Sequence, residues 1–353
     1  MKTSTSKRLR WNIAIWLAAG LFMTSAAGMA AGPIMPDPKA EARHQPQVEE
    51  TANGIPLVNI TAPSSGGVSR NEYETFNVPD KGAILNNSYT LSKTELAGYV
   101  QGNNNMAERP AKIIVNEVTG AGSTSMDGFL EVAGNRADVV IANPNGITVN
   151  GGGFINTGKA FLTTGKPVYD GEDHLQRFDI TGGDILIEGK GLGGKETGSL
   201  AILSRAVKIN AGIWAKDLHI TTGANTVDAK TLEASAIEGK GGRPAFALDT
   251  AAIGGMYAGR ITLVGTEKGL GVNNSGTWSA EDNLTLDWNG DLKNSGTIYS
   301  KGNADLRANY LENDKTIAAE RNLSAAAKEN IRNQGKLLAG ENMDIYAGKT
   351  LDN

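Results

Sequence analysis

The chain has 353 residues, no cysteine and only 6% aromatic residues, so disulfide staples, thiolate metal sites and cysteine nucleophiles are excluded and stability has to come from a long core. A net charge of -4, with acids and bases interspersed, excludes the basic face of a nucleic-acid binder. The 45 glycines are spread among short apolar runs, which predicts many short strands joined by tight turns and no low-complexity linker.

Lys2, Lys7, Arg8 and Arg10 precede an apolar run over 11–23 broken only by Asn12, and small residues follow at 25–31. Basic, apolar, then small is the layout of a secretory signal peptide over 1–31, with cleavage after Ala27, Ala30 or Ala31. The run falls short of the ~20 residues of a spanning helix. Residues 32–54 are polar and hold Pro33, Pro36, Pro38 and Pro46, which predicts a flexible mature N-terminus.

Short alternating runs begin at 55–60 and continue through 66–78 and 82–88. Residues 94–100 fit either a brief helix or a strand. Strands of three to six residues then recur at 111–120, 129–134, 139–141, 147–149, 154–156 and 160–165, with turns of two to four residues and no helix between them. Turns this short cannot carry parallel crossovers within a flat sheet, and a sandwich needs longer strands and hairpins. A solenoid, in which each strand pairs with its equivalent one coil later, resolves this. Within the run, Asn143-Pro144-Asn145-Gly146 reads as a type I turn, with each residue suited to its position, and Ile147 opens the next strand. Residues 166–177 read as an extruded polar loop and 236–246 as a second, glycine-rich excursion.

From Asn273 the sequence repeats itself. Asn274-Ser275-Gly276-Thr277-Trp278 recurs at Asn294, at Asn313 and at Asn333, with spacings of 20, 19 and 20 residues. A fixed period near 20 predicts an all-β, right-handed parallel β-helix, a three-faced solenoid with an N-terminal cap and extruded loops. A leucine-rich repeat has a similar period, but its leucine and asparagine consensus is absent. If 55–353 coils uniformly, about 15 coils make a rod on the order of 70 Å long. Leu284, Leu286, Ile298, Leu306, Ile317, Leu323, Leu337 and Ile345 are expected to point inward. The first coil's open edge needs a cap, for which 55–78 is the candidate. The chain stops where the next repeat would begin, which predicts the N-terminal part of a longer fibre, or a chain cut there.

At Asn143-Pro144-Asn145-Gly146-Ile147, and the Gly-Gly-Gly-Phe-Ile-Asn-Thr that follows at 151–157, the sequence resembles the N-terminal secretion domain of two-partner secretion exoproteins of the filamentous haemagglutinin type. Asn116-Glu117-Val118-Thr119-Gly120, the Val-Ala-Gly at 132–134, the Leu-Thr-Thr-Gly at 162–165 and 254–259 match the same pattern, in order. The resemblance implies a secretion domain over 55–265 and haemagglutinin repeats over 266–353. There are departures. The family's earlier Asn-Pro-Asn-Leu motif is matched by Asn103-Asn104-Asn105-Met106, without its proline, as a degenerate form. Val149 and Gly152 stand where some members have a cysteine pair. The resemblance implies delivery to the periplasm and recognition by the periplasmic domains of an outer-membrane β-barrel transporter. The chain then crosses unfolded and coils at the cell surface or outside it, and a C-terminal region past 353 meets a host or neighbouring cell. The function implied is export of a large adhesin or haemagglutinin, with a contact-dependent toxin or haemolysin as the alternative.

Each candidate has a plainer reading. The 143–147 motif can be a good turn and no more, and Asn116 an internal residue serving turn amides. The Asn repeats read as turn stacks. Glu172-Asp173-His174 reads as a solvated loop in place of a metal or acid–base site. No cofactor, metal or nucleic-acid partner is called for. The rival class, a β-helix polysaccharide lyase or glycosidase, needs paired carboxylates or basic residues in a cleft, and Asp179 and Asp184 are its nearest approach.

Overall fold

The computed structural model describes residues 32–106 and 109–353. The expected signal peptide, 1–31, lies outside the described residues. Among the described residues of the body Pro33–Asn353 the elements are strands apart from one 3-10 turn at Ala42–His44. Apolar runs broken by glycine and asparagine wind into coils, and each coil gives one strand to each of three faces. One coil is Gly271–Asn274, Thr277–Ala280 and Leu284–Trp288; the next is Leu292–Asn294, Thr297–Ser300 and Ala304–Ala308. Equivalent strands pair in parallel, with Val272 opposite Leu292, Trp278 opposite Ile298 and Leu284 opposite Ala304. The architecture is a parallel β-helix.

The first face is a ten-stranded sheet. The second is a column of eleven parallel strands from Pro56–Asn59 to Lys336–Ala339. The third runs from Val68–Phe76 to Met343–Ala347. Gly212–Thr222 and Gly255–Gly265 bend through both of these faces unbroken and merge them. The uniform period predicts about 15 coils. Fewer form, because the first half spends residues outside the coil.

The core is a continuous apolar column inside the coil. Leu284, Leu286, Ile298, Leu306, Ile317 and Leu323 are buried, and Leu337 and Ile345 of the last coil are half-buried against it. Each fully buried leucine or isoleucine contributes about 1.5–3 kcal/mol.

Two excursions build further cores on the outside. Residues 94–100 belong to an antiparallel hairpin, Ser92–Thr94 with Gly98–Val100, which lays Leu96, Ala97 and Val100 on Ile55, Leu57 and Ile84. The segment 166–177 leaves the coil as expected, but as a hairpin with strands on either side of a turn at 170–174. Lys166–Tyr169, Leu175–Ile180, Asn225–Asp228 and Ala234–Ala236 form a four-stranded antiparallel sheet. It packs Phe178, Ile180 and Val227 over Val115, Val140, Phe161 and Leu203. The apolar side chains that build this face lie mostly outside 166–177, so the segment alone reads as polar.

The cap also starts earlier than 55. Ile34–Pro36 runs antiparallel to Val68–Phe76, and Gln47–Glu50 antiparallel to Pro56–Asn59. The segment expected to be flexible is therefore ordered strand. A strand that closes a sheet edge lends its backbone, so Gln47–Glu50 stays polar and mostly exposed and carries no apolar signal.

Candidate functional site

The expected export motifs lie on successive coils. Ile113–Val118 and Ala137–Ala142 are adjacent strands of the third face, with Asn116 opposite Ile141 and Glu117 opposite Ala142. Alternation then splits the first motif. Ile114, Asn116 and Val118 face the lumen of the coil, while Val115 and Glu117 face the extruded sheet. Inside, Asn116 accepts from the buried Tyr73 hydroxyl at 3.0 Å and donates to the Val140 carbonyl at 3.1 Å. It therefore serves a strand carbonyl and a phenol, and no turn amide as expected. Outside, Arg70 sits 4.4 Å above the Tyr169 ring and reaches Glu72 at 2.8 Å and Glu117 at 3.4 Å. Burial pushes the Glu117 carboxyl up, against the pull of Arg70. Thr119 ends the strand by bonding Asp37 of the cap at 2.6 Å.

The turn at 143–146 closes as its residues dictate. The Gly146 N–H donates to the Asn143 carbonyl at 3.1 Å, and the Asn145 N–H to Asn143 Oδ1 at 2.9 Å. Asn143 Nδ2 reaches back one coil to the Gly122 carbonyl (2.9 Å) and Thr124 Oγ1 (3.0 Å). Asn145 Nδ2 reaches Gly120, the last residue of the other motif, at 2.8 Å. The two motifs are thus one structure. Gly146 has φ +110°, and a Cβ there would lie 3.1 Å from the Asp184 carbonyl oxygen, so only glycine fits. Asn143, Gly146 and Ile147 are buried, whereas Pro144, Asn145 and Thr119 face solvent.

The segment 103–106, expected as a degenerate motif, makes the same turn. The Met106 N–H donates to the Asn103 carbonyl at 3.1 Å, and the Asn105 N–H to Asn103 Oδ1 at 2.9 Å. Asn103 Nδ2 and Asn105 Nδ2 both reach back to the Ile60 carbonyl, at 2.8 and 3.1 Å. The asparagine bridge sets the geometry without proline, and Met106 is buried in the core. This turn lies between the second and third faces and the 143–146 turn between the third and first, so the structure does not bring them together.

Sequence reasoning missed Tyr73, Asn71, Gly122 and Thr124. Asn71 precedes Asn116 by one coil in register, but the two are 45 residues apart with no fixed period to reveal it. Glu172-Asp173-His174 sits in the solvent-facing hairpin turn between Lys166–Tyr169 and Leu175–Ile180, where Asp173 takes Arg43 of the cap at 2.6 Å and His174 Nδ1 lies 2.9 Å from Asp170. Asp179 pairs with Arg177 in the outer sheet, while Asp184 opens a strand of the first face.

Comparison with known proteins gives the same picture. The TPS secretion domain matches residues 33–298, wider than the 55–265 read from sequence, and the haemagglutinin repeat matches 299–353. The chain is 42% identical over 293 residues to the toxin CdiA of Yersinia pestis, covering 76% of this chain and 9% of that protein. It is 40% identical over 327 residues to the 16S rRNA endonuclease CdiA of Enterobacter cloacae, covering 86% and 10%. The chain thus spans about a tenth of the length of these relatives. The crystal structure of a filamentous haemagglutinin secretion domain superposes with a TM-score of 0.67 at 30% identity, over 91% of this chain and all of that one. The chain belongs to the two-partner secretion family, as the TPS secretion domain of a large exoprotein exported through the outer membrane to the cell surface or beyond, followed by haemagglutinin repeats.

Proposed function

We propose that this chain is the export end of a contact-dependent toxin, and that the joined motifs 116–120 and 143–147 form the surface read by the periplasmic domains of a dedicated outer-membrane β-barrel transporter. The observation that carries the export surface is the pairing of Asn145 with Gly120, which leaves Pro144, Asn145 and Thr119 side by side in solvent. The toxin reading rests on the names of these relatives, one a toxin and the other a 16S rRNA endonuclease, of whose length this chain spans about a tenth. The haemagglutinin repeats favour a second reading, a surface adhesin. In either case residues 1–31 act as the signal peptide, and no catalytic step falls to this region.

The fold suits export of an extended chain. Each coil pairs with the coil about 20 residues earlier, as from Asn274 to Asn294, so coils add one at a time outside the membrane and oppose backsliding. The turn at 103–106 shares the geometry of 143–146 and acts as a secondary recognition element.

The test replaces Asn145 by Ala, which removes one exposed side chain and leaves the Asn143 bridge. With the transporter present, protein in the medium is expected to fall at least tenfold, while the purified variant unfolds at the wild-type midpoint. Unchanged secretion, or loss of secretion matched by loss of folding, would overturn the recognition role.

A further inference from the structure

The second face carries an aromatic column on its outside. Phe129, Gly153, Gly193, Trp214, Tyr257, Ser279 and Tyr299 stand in register on successive strands. Their neighbours Phe154, Ile213, Met256, Trp278 and Ile298 fill the core, so alternation turns this column outward. Phe129 is 43% exposed and Tyr257 39%, while Trp214 and Tyr299 are half-buried.

The Trp214 and Tyr257 rings are 6.1 Å apart between centroids and 17° from parallel. Glycines make room for them. A Cβ on Gly212 would come within 2.4 Å of the Trp214 ring, one on Gly255 within 2.9 Å of the Tyr257 ring, and one on Gly153 within 2.4 Å of the Phe129 ring. Around Trp214 and Tyr257 lies a surface groove of 550 Å³ edged by Lys195, Lys216, Ser279 and Glu281. Glu281 is engaged by Lys301, and the nearby Asp217 by Arg260. Lys195 and Lys216 stand outside any ion pair among the described residues and leave the groove's edge positive.

Strand addition by a protein partner is closed to this face. Gly212–Thr222 is paired on both sides, so it has no free edge to take a peptide strand. What it offers is ring faces at intervals along the coil axis, with polar groups beside them. A pyranose matches that chemistry: one face is C–H and stacks on an aromatic ring, while hydroxyls and carboxylates project from its rim. The column from Phe129 to Tyr299 runs six strand steps of ~4.8 Å, a length that an extended chain of sugars fills and a single small ligand does not.

We propose that this outer column binds an extended, unbranched acidic polysaccharide, stacked on Trp214 and Tyr257 and paired with Lys195 and Lys216. The inference does not depend on the export reading and is tested without a transporter. Calorimetric titration of the full chain would use a polygalacturonate oligomer of about seven sugars, roughly one per strand of the column, and a neutral malto-oligomer of equal length. Saturable binding of the acidic oligomer is expected, weakened at least tenfold by Trp214→Ala. Lys195→Gln with Lys216→Gln should weaken it at least fivefold and flatten its salt dependence. Ser279→Trp, which fills a gap in the column, should tighten it. Because Trp214→Ala lies outside the core, its unfolding midpoint serves as the folding control. No saturable binding, or binding by a folded Trp214→Ala variant equal to wild type, overturns the proposal. Equal binding of the neutral oligomer overturns the acidic assignment. Self-association of the chain that is lost in Trp214→Ala would give the face to a second copy instead.

Discussion

From Gly271 onward each coil repeats the last. Asn274, Asn294, Asn313, Asn333 and Asn353 pass a side-chain hydrogen bond from coil to coil at 2.5–2.8 Å, and aliphatic columns fill the space beside them. Before Gly271 the polar contacts inside the coil are individual. Asn116 serves Tyr73, Asn86 serves Asn59, and Asn87 holds Ala111 and Asn135. An antiparallel cap and a four-stranded outer sheet then bind these coils to one another. Repetition gives a stack that each new coil extends with nearest-neighbour contacts. Irregularity gives cross-links between coils distant in sequence, so the secretion region should unfold as a unit and the repeats should fray.

The most disruptive test is Leu306→Ala. Leu306 is fully buried between Leu286 and Ala325, and truncation there costs about 2–5 kcal/mol. The loss should stay in the repeats. Amide exchange over 277–353 is expected to speed up while 113–163 keeps its protection. One coincident transition for both regions would show that the two halves are a single cooperative unit.

The hydrogen-bond networks should separate next. Asn294→Leu takes the Oδ1 acceptor from the Gly296 N–H and from Asn274 Nδ2, which keeps only its longer contact to the Thr297 carbonyl, at about 1–3 kcal/mol per buried orphan. Because the ladder runs on, no single second change repairs it. Asn116→Leu orphans the Tyr73 hydroxyl at a similar cost, but adding Tyr73→Phe removes the orphan and should recover part of the loss. A double-mutant cycle that shows no coupling between 73 and 116 would sink the view of Asn116 as an individual lock.

The same contrast explains what could be read in advance. The repeats were legible because partners lie one period apart and the period is written four times, at Asn274, Asn294, Asn313 and Asn333. The 143–146 turn was legible because a turn is decided by adjacent residues. Gln47–Glu50 was not, since it contributes backbone to an edge and almost no apolar surface. Nor was the equivalence of 103–106 and 143–146. Proline is the visible mark of such a turn, yet the hydrogen bond from the third residue's N–H to the first asparagine's Oδ1 sets it, and that bond is 2.9 Å in both. Gly146→Ala, placed at φ +110° against the Asp184 carbonyl, should therefore cost about 1–3 kcal/mol, while Pro144→Asn should change stability little. A stable Gly146→Ala chain would show that this corner relaxes as freely as a surface loop.

The smallest effect expected is a pH dependence specific to the irregular half. His219 lies on the outer face of Gly212–Thr222, between Ala201 and Thr262, with Nε2 2.8 Å from Thr221 Oγ1. Burial lowers its pKa from 6.5 to about 4. The folded chain therefore holds this proton less tightly than the unfolded one. The stability contributed by a neutral His219 is fully present above about pH 6.5 and is lost as the pH falls toward about 4, because the unfolded state takes up the proton first. After allowance for solvent at the half-buried ring, the loss is on the order of 1–2 kcal/mol. Denaturant unfolding of the secretion region is expected to weaken over that window, and His219→Gln should flatten the profile there. An unchanged profile in His219→Gln would move the acid sensitivity to another group. Glu117 cannot supply it, because a carboxyl raised by burial binds its proton more tightly in the folded state and so favours folding as the pH falls.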